Sequence, residues 1–403
     1  MRFLLIPGNN SLSHIAKCLA LSAELTPKGH KVLIAVSKAN ACFIAHASVP
    51  YAILPDIQES DHGAAPSIAW FRDTQHIAQV IQAEMNLMQD FRPDRVLGVF
   101  RFTTKIAAAR AGIAFDSLIC GCMLPDNQEA LGFALQDEGA QHQIQYINNF
   151  FRLAGNKIQT AAGSPTMDDL FDVRQLLEGE RTFLWDFPEF MPVANPIGRY
   201  HVGPIQWRSW PEGKNARPVT IDHDRPNVVI SFGTCCADHC AAQKLTDCLL
   251  EQGFNLLIAA GNQTDLLKLS KNNGRIQIWP FIPLQRLLPH ASMVISHGGQ
   301  MTLFESLQYN LPIFVLPFQP EQAHNGVCLE RIGCGRRLVP SVTYRGDSRV
   351  YTDAFMQHTP SQINHIIASV LDHPDTPACL FKAQQALNRY TGAAMLADYM
   401  IDV

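Results

Sequence analysis

The chain has 403 residues, of which 47% are hydrophobic and 17% charged, with a formal net charge of −4. A chain of this length and apolar content is expected to form two or three domains with sizeable cores, rather than one compact domain. The slight acidity and the lack of any Lys/Arg run leave little support for a nucleic-acid-binding role.

The first elements in the chain predict a parallel sheet. Phe3 to Ile6 is a short apolar strand, and Gly8 to Ser11 is a loop. A helix follows, because apolar or small residues recur at helical spacing, namely Ile15, Cys18, Leu19, Ser22 and Leu25. Val32 to Val36 is the next strand. Strand, loop, helix and strand within about 35 residues form a βαβ unit, which requires parallel strands.

The pattern gives no sign of secretion or of a membrane span. Only six residues precede Pro7-Gly8, which is too few for a signal peptide. No apolar stretch approaches the roughly 20 residues that a membrane-spanning helix needs. The eleven cysteines follow no framework pattern, which fits a reducing compartment. We therefore expect a cytoplasmic protein whose membrane contact is at most peripheral.

The βα alternation continues in two series along the chain. The first has strands at 95–100, 115–120 and 200–205, and a helix at 103–111. A segment rich in Pro, Gly and charge, 207–226, has no periodicity and reads as a linker. The second series has strands at 228–232, 255–259, 276–279, 293–296, 313–316 and 336–339, with helices at 360–400. The prediction is an α/β fold with two Rossmann-like domains facing across a cleft. The expected boundaries are 1–206 and 227–384, with a C-terminal helix at about 385–403 that returns to the first domain.

One segment of the second series carries a specific chemical signal. The apolar run Ala291 to Ser296 ends at His297-Gly298-Gly299, and a helical pattern then begins that carries Glu305. A strand that breaks at Gly-Gly into a helix start offers backbone N–H groups and the positive end of a helix dipole, which suit phosphate. A carboxylate one to two turns later suits a sugar diol, because it accepts from both hydroxyls. The segment predicts a site for a nucleoside diphosphate, and more specifically for a nucleotide sugar.

Four segments in order extend this signal to a family. They are Ser231 to Thr234, Phe281 to Pro283, His297 to Glu305 and Pro317 to Asn325. With them, the chain resembles the GT-B glycosyltransferases that use nucleotide sugars, namely the UDP-glucuronosyl, macrolide and plant glucosyltransferase group. The resemblance runs over nearly the whole chain.

The resemblance implies a set of donor-binding residues in the second half of the chain. They are Gly233 and Thr234 in the phosphate loop, Phe281 and Ile282 at the base, His297, Gly298, Gly299 and Thr302 at the diphosphate, Glu305 at the ribose, and Glu321 and Gln322 at the sugar.

His14 is the predicted catalytic base. It opens the first helix, where the helix dipole lowers the pKa of a histidine and keeps it neutral and able to accept a proton. The resemblance places the family's base at this position. Relatives often carry a carboxylate that orients this base, at a position where this chain has Val99. Asp116, at the start of the next strand, is the expected substitute.

The segment Cys235 to Cys240 holds four cysteine and histidine side chains within six residues, which suggests a metal site. Structural zinc sites usually join two separated pairs, and no second pair is near in sequence. Ordinary thiols are the better interpretation, so no metal site and no metal-dependent transfer are predicted.

The expected function is an inverting glycosyl transfer from a UDP- or dTDP-sugar to a hydroxyl of a small-molecule or lipid acceptor. The donor is a substrate, and no further cofactor is expected; a homodimer is left open. Two alternatives remain: a nucleotide-sugar hydrolase or epimerase on the same fold, and a catalytically silent subunit that binds nucleotide sugars. A dinucleotide dehydrogenase is disfavoured, because no G-x-G-x-x-G follows either first strand.

Overall fold

The structure is a computed structural model of the whole chain. It describes residues 1–58, 67–134, 136–163, 171–209, 219, 221, 224–233, 238–261, 266, 269 and 274–402. These residues form two compact units, and each is described on its own. The first comprises Met1–Gln128, Ile144–Ser209 and Tyr390–Val403, and the second comprises Glu129–Gln143 and Trp210–Arg389.

The first unit is built on a parallel sheet of seven strands. In chain order they are β1 (Arg2–Pro7), β2 (Lys31–Val36), β3 (Tyr51–Ile53), β4 (Arg95–Val99), β5 (Ala114–Ile119), β6 (Thr182–Leu184) and β7 (Arg199–His201). Their spatial order is β3-β2-β1-β4-β5-β6-β7. Strands β2 and β3 lie on one side of β1, and β4 and the later strands lie on the other. The strand order therefore reverses between β1 and β4. Ligands bind at such a switch point in open parallel sheets, beyond the carboxyl ends of the strands.

The second unit repeats this plan with six parallel strands. They are β8 (Asn227–Ser231), β9 (Asn255–Ala259), β10 (Ile276–Trp279), β11 (Met293–Ser296), β12 (Ile313–Val315) and β13 (Gly335–Arg337). The spatial order is β10-β9-β8-β11-β12-β13, so this sheet reverses between β8 and β11. Ser231, Ser296 and Val315 are in register and end their strands at one level.

The helices cover the faces of the two sheets. They are α1 (Leu12–Leu25), α2 (Ala41–Ile44), α3 (Thr74–Phe91), α4 (Thr104–Ala111), α5 (Ala140–Ala161), α6 (His239–Glu251), α7 (Gln300–Gln308), α8 (Pro320–Arg331), α9 (Arg349–Gln357), α10 (Pro360–Leu371), α11 (Thr376–Leu387) and α12 (Ala393–Ile401). Within the part of the chain that the structure describes, no helix is both long and apolar enough to cross a bilayer.

Local sequence explains where these helices begin. Ser11 caps α1 by accepting from the Ser13 N–H, and Asp73 and Asp238 cap α3 and α6 in the same way. Thr359 and Gln362 form a reciprocal capping box at the start of α10. Each cap satisfies backbone N–H groups that have no partner within the helix.

Apolar side chains fill both faces of the second sheet. On one face, alternate strand residues such as Ile230 and Ile295 pack with α6, α9 and α10. On the other, Val229 and Val294 pack with Trp279 and Leu287. Because both faces are covered, the strands are apolar throughout rather than alternating. This explains why they stand out in the sequence.

The last helix lies on the first unit. Lys28, just after α1, pairs with Asp398 at 2.5 Å, and the Tyr399 ring packs on Tyr200 and Phe183. The Gly392 N–H donates to the Val202 carbonyl at 2.9 Å, and a Cβ at Gly392 would collide with the backbone of Pro204. Much of the predicted linker, including 210–218, lies outside the described residues, so the boundaries at 206 and 227 stay a prediction.

Candidate active site

The predicted anion site is assembled around the imidazole of His297. The ring lies against two glycines from different parts of the chain. A Cβ on Gly233, at the end of β8, would lie 2.9 Å from His297 Cε1, and one on Gly299 would overlap His297 Nε2. Gly233 also has a φ of +60°, which favours glycine. Both positions therefore need glycine if the ring is to occupy this place.

These residues meet at the switch point of the second sheet. Gly233 follows β8 and His297 follows β11, the two strands between which the order reverses. The site therefore lies where open parallel sheets usually bind ligands. Thr234, predicted for the same loop, lies outside the described residues, as do Cys235 and Cys236.

The N-terminus of α7 provides the backbone donors. Gly299 is its N-cap residue, and no side chain caps the helix. The first N–H groups of a helix have no partner within it, and the helix dipole places positive potential there. The first amides of α7 thus begin beside the His297 ring, which a Cβ on Gly299 would overlap.

Gly298 differs from the expectation. Its N–H donates to Ser296 Oγ at 3.1 Å, so this amide is used within the loop. Position 298 requires glycine for another reason. Its φ is +92°, and a Cβ would lie 2.6 Å from the Gln322 carbonyl oxygen. Gly298 shapes the loop, and the amides for an anion begin at Gly299.

Sequence reasoning missed the residues that support this loop. The Asn325 side-chain amide donates to the Gly298 carbonyl at 2.9 Å, and Gln300 Nε2 lies 3.2 Å from Asn325 Oδ1. Asn325 and Gln300 are both buried. The sequence signal for this support was an asparagine on the buried face of α8. A buried side-chain amide requires hydrogen-bond partners, and Gly298 and Gln300 supply them.

The other residues predicted for the donor site differ in exposure. Phe281 is 47% exposed, so its ring face is open to stacking, whereas Ile282 is buried. Thr302 is buried and Glu305 half-buried on α7. Glu321 and Gln322 lie in the first turn of α8, where Gln322 Oε1 accepts from the Phe318 N–H at 2.8 Å.

Burial controls the charge of His297. It lowers the pKa of this imidazole to about 4, although a hydrogen bond with the Ser231 backbone acts in the opposite direction. The ring is therefore neutral near pH 7 in the protein alone. A nearby anion favours the protonated form, so a bound diphosphate would raise this pKa.

His14 lies at the corresponding edge of the first sheet. It is 5% exposed, and its ring stacks on Phe100 with centroids 5.4 Å apart and contacts Trp185 at 5.7 Å. These two aromatic residues follow β4 and β6. Nδ1 lies 3.2 Å from the Gly8 carbonyl oxygen. A carbonyl only accepts, so Nδ1 carries the proton and Nε2 the lone pair.

The pKa of His14 is lowered to about 3. Burial is the main cause, the charge of Lys17 adds to it, and the Gly8 carbonyl opposes it. The ring is therefore neutral near pH 7 and can accept a proton, and burial is the main cause.

The structure corrects the expectation that Asp116 partners His14. Both Asp116 oxygens accept from the guanidinium groups of Arg95 and Arg181, at 2.8 to 3.1 Å. Asp116 pairs with Leu97 in the sheet, two residues before the level at which Val99, the last residue of β4, pairs with Leu118. Its carboxylate is therefore committed to a buried ion-pair network within the strands. The side chains around His14 at the carboxyl edge are instead aromatic.

Ring contacts extend from His14 into the first unit. Phe100 packs on Phe102, Phe102 on Phe71, and Phe71 on Phe150, with centroids 5.5 to 6.4 Å apart. Phe71 and Phe102 are buried, so they serve the core first. Among the described residues, no group of three or more His, Cys, Asp or Glu side chains is arranged to hold a metal ion.

Comparisons with known proteins agree with this geometry. Residues 233–343 match the model of the glycosyltransferase family 28 C-terminal domain. This segment contains all of the predicted donor-site residues, from Gly233 to Gln322. The model covers only part of the chain.

The chain is related to glycosyltransferases with the GT-B fold.

Similarity to individual proteins covers more of the chain. A PGL/p-HBAD biosynthesis rhamnosyltransferase of Mycobacterium bovis is 21% identical over 83% of this chain and 76% of its own length. Among solved structures, the glycosyltransferase of kitacinnamycin has a TM-score of 0.74 at 16% identity, over 99% of this chain and 98% of that one. SsfS6 of Streptomyces sp. SF2575, complexed with thymidine diphosphate, has a TM-score of 0.62 at 16% identity, with 100% of both chains covered. The resemblance and the two-domain Rossmann-like fold predicted from the sequence are confirmed.

Proposed function

We propose that this protein is an inverting glycosyltransferase that moves a sugar from a UDP- or dTDP-sugar to a hydroxyl group of a small-molecule or lipid acceptor. The donor binds at the carboxyl edge of the second sheet, and His14 acts as the general base. The thymidine diphosphate in the SsfS6 structure and the rhamnosyltransferase activity in the name of the mycobacterial relative support this class of donor.

The single observation that carries the proposal is the place of His297. Its imidazole lies between Gly233 and Gly299, beside the uncapped start of α7 and at the switch point of the sheet. Backbone amides and a helix dipole then lie beside an imidazole whose protonation a bound anion favours. This combination suits a diphosphate, because hydrogen-bond donors and positive potential can bind it without a charged side chain.

The same groups would stabilise the leaving group. In a one-step displacement the acceptor oxygen attacks the anomeric carbon, and negative charge develops on the departing diphosphate. Fixed donors directed at that charge lower the barrier, because they need no reorganisation during the reaction. We propose that the α7 amides and His297 carry this role without a metal ion.

His14 would act at the other end of the reaction. Its Nε2 carries the lone pair, since Nδ1 faces the Gly8 carbonyl. In the proposed reaction it takes the proton of the acceptor hydroxyl as the new bond forms. The neighbouring rings of Phe100 and Trp185 would favour an acceptor with an apolar or aromatic body.

The experiment that tests the proposal compares His14→Ala with the wild type. Transfer from UDP- and dTDP-sugars is measured over a panel of phenolic and lipid alcohols, together with nucleotide binding by calorimetry. We expect His14→Ala to bind the nucleotide as the wild type does but to transfer about 10²-fold to 10⁴-fold more slowly, the usual effect of removing a general base. Transfer at the wild-type rate would contradict the assignment of His14.

The same assay separates the alternatives. Release of free sugar without an acceptor, at a rate that acceptors do not change, would indicate a hydrolase. Nucleotide-sugar binding with neither transfer nor hydrolysis over the whole panel would indicate a silent binding subunit.

A further inference from the structure

His14 contacts a peptide group rather than a carboxylate. Its Nδ1 faces the carbonyl oxygen of Gly8 at 3.2 Å. That carbonyl belongs to the Gly8–Asn9 peptide unit, which is trans. In a trans peptide the C=O and the following N–H point in opposite directions from one plane. Whatever holds the Asn9 N–H therefore also sets the direction of the Gly8 oxygen.

A buried carboxylate holds that N–H. The Asn9 N–H donates to Asp56 Oδ2 at 2.8 Å, and the side chain of Asp56 is 7% exposed. The other oxygen, Oδ1, accepts from the Ile57 N–H at 2.7 Å. An ionised acceptor polarises the peptide and strengthens its carbonyl as an acceptor in turn.

Arg101 fixes this carboxylate in place. One guanidinium nitrogen lies 3.0 Å from Asp56 Oδ2, and the side chain also donates to Glu84 at 2.8 Å and to the Pro55 carbonyl at 2.6 Å. Burial lowers the pKa of Arg101, but Asp56 and Glu84 more than offset this and hold it above its usual range. Arg101 is thus a permanent buried cation, 1% exposed.

The backbone at Phe100 is strained to allow this arrangement. Phe100 has a φ of +50°, a left-handed conformation that is unfavourable for a residue with a large side chain. This conformation places the Phe100 ring on His14. The side chain of the next residue, Arg101, then reaches Asp56, which accepts from the Asn9 N–H. Such strain persists where the surroundings enforce it, and it is concentrated at functional sites.

The loop itself has no room to shift. The Gly8 N–H donates to the Val99 carbonyl at 2.9 Å, and a Cβ on Gly8 would lie 2.5 Å from the Phe100 carbonyl oxygen. The Gly8 N–H is therefore held by β4, and the Asn9 N–H is held by Asp56.

We infer that Asp56, held by Arg101, is the positioning carboxylate of His14 and acts on it through the Gly8–Asn9 peptide. It keeps the proton on Nδ1 and the lone pair on Nε2, the role that a direct carboxylate plays in a His–Asp pair. This explains how the position occupied by Val99 can lack a carboxylate. The inference rests on the proposed role of His14 as the base.

The test reads the tautomer of His14 directly, without substrate. The protein is labelled with ¹⁵N-histidine, and long-range ¹H–¹⁵N spectra are recorded; the His14 signals are those lost in His14→Gln. We expect a protonated Nδ1 in the wild type, and a shift toward a mixture of both tautomers in Asp56→Ala. Asp172→Ala is the matched control, because Asp172 also accepts a backbone N–H and a guanidinium, both from Arg174. It should leave the His14 signals unchanged.

A wild-type spectrum with the proton on Nε2, or an unchanged tautomer in Asp56→Ala, would overturn the inference. If Asp56→Ala does not fold, Asp56→Asn decides, since it keeps an oxygen for the Asn9 N–H but loses the charge. The inference then requires the Nδ1 resonance to move, and an unmoved resonance contradicts it.

Kinetics provide a second readout. Asp56→Asn should lower kcat about tenfold, the effect of weakening one hydrogen bond, with the donor KM unchanged. Equal losses in kcat and donor affinity would indicate general damage to the fold instead. The spectra separate this inference from the proposed function: a tautomer that depends on Asp56, combined with full transfer activity in His14→Ala, would refute only the role of His14 as the base.

Discussion

His297 is the residue whose charge should respond most to the donor. Its pKa is about 4 in the protein alone because of burial, and a diphosphate beside it favours the protonated form. The bound state then holds more protons than the free state over the interval between the two pKa values. Affinity for a nucleotide sugar should therefore rise as the pH falls through this interval.

Calorimetry with UDP-glucose or a dTDP-sugar at about pH 5.5, in buffers of different ionisation enthalpy, measures this proton uptake. A nucleotide sugar is the right probe, because it lacks the terminal phosphate group that itself titrates near neutral pH. The wild type should take up protons on binding, and His297→Gln should take up fewer. Equal uptake by the two proteins would show that His297 does not face the diphosphate.

At the residue scale, the sequence indicated the residues of the candidate donor site more fully than the surroundings of His14. Gly233, His297 and Gly299 could be predicted, because glycine-rich strand ends before a helix are a local pattern. Asp56 could not, because it lies 42 positions from His14 and acts through a peptide group that leaves no side-chain signal. Asp116 was chosen for its position in the chain, and its pairing with Arg95 and Arg181 depends on strand register.

At the element scale, the segment 129–143 is attached to the second unit by a set of ionic contacts. Glu129 lies 3.1 Å from His324 and 2.8 Å from Arg331, both on α8. Farther along, Arg337 donates to the Gly132 carbonyl at 2.6 Å, and the Tyr344 N–H donates to Gln143. We call residues 129–143 the docked segment.

The Glu129–His324 pair makes the attachment of the docked segment dependent on pH. The hydrogen bond from His324 lowers the pKa of Glu129 from 4.5 to about 2. Burial alone would lower the pKa of His324, but Cys328 and Glu129 raise it from 6.5 to about 9. The stabilisation is complete from about pH 4.5 to 6.5. It is lost as the pH falls from 4.5 toward 2, where the carboxylate is protonated, and as it rises from 6.5 toward 9, where the imidazolium is deprotonated.

Thermal unfolding of the wild type and of Glu129→Gln tests this prediction. The difference in Tm should be largest near pH 5.5 and should shrink toward pH 9. Asp347→Asn is a suitable control, because its ion pair with Arg349 is exposed and contributes little. A difference in Tm that does not change with pH would show that the pair is not ionised as described.

Some elements could be read from the sequence and others could not. Strands β9, β10 and β11 were predicted with the observed bounds, because each is a continuous apolar run between turn residues. Strand β6 was missed, since its three residues lie in a stretch interrupted by proline and are recruited by pairing with β5.

At the scale of the whole molecule, the sequence predicted two α/β units with parallel sheets, because two βα series flank a segment without periodicity. The grouping of the docked segment with the second unit was not predicted. Chain continuity assigns it to the first series, and its grouping depends on contacts with residues about 200 positions away. Such contacts leave no periodic pattern in the sequence.

Both sheets place their key histidine at the point where the strand order reverses. His14 follows β1, beside the end of β4, and His297 follows β11, beside the end of β8. In the proposed reaction, one unit would supply the proton acceptor at its carboxyl edge, and the other would supply the anion site. These are the two functions that glycosyl transfer from a nucleotide sugar requires.

Nucleoside diphosphate binding, measured by calorimetry on the wild type and Gly299→Ala, tests the central claim most directly. Gly299 has a φ of −67°, so alanine fits its backbone, and the added methyl acts by displacing the His297 ring. We predict one UDP or dTDP per chain, bound about 10-fold to 100-fold more weakly by Gly299→Ala, the effect of losing one hydrogen bond to a charged group. Asp347→Asn, an exposed substitution in the same unit, should bind as the wild type does. Absence of binding in the wild type, or equal affinity in the wild type and Gly299→Ala, would contradict the account.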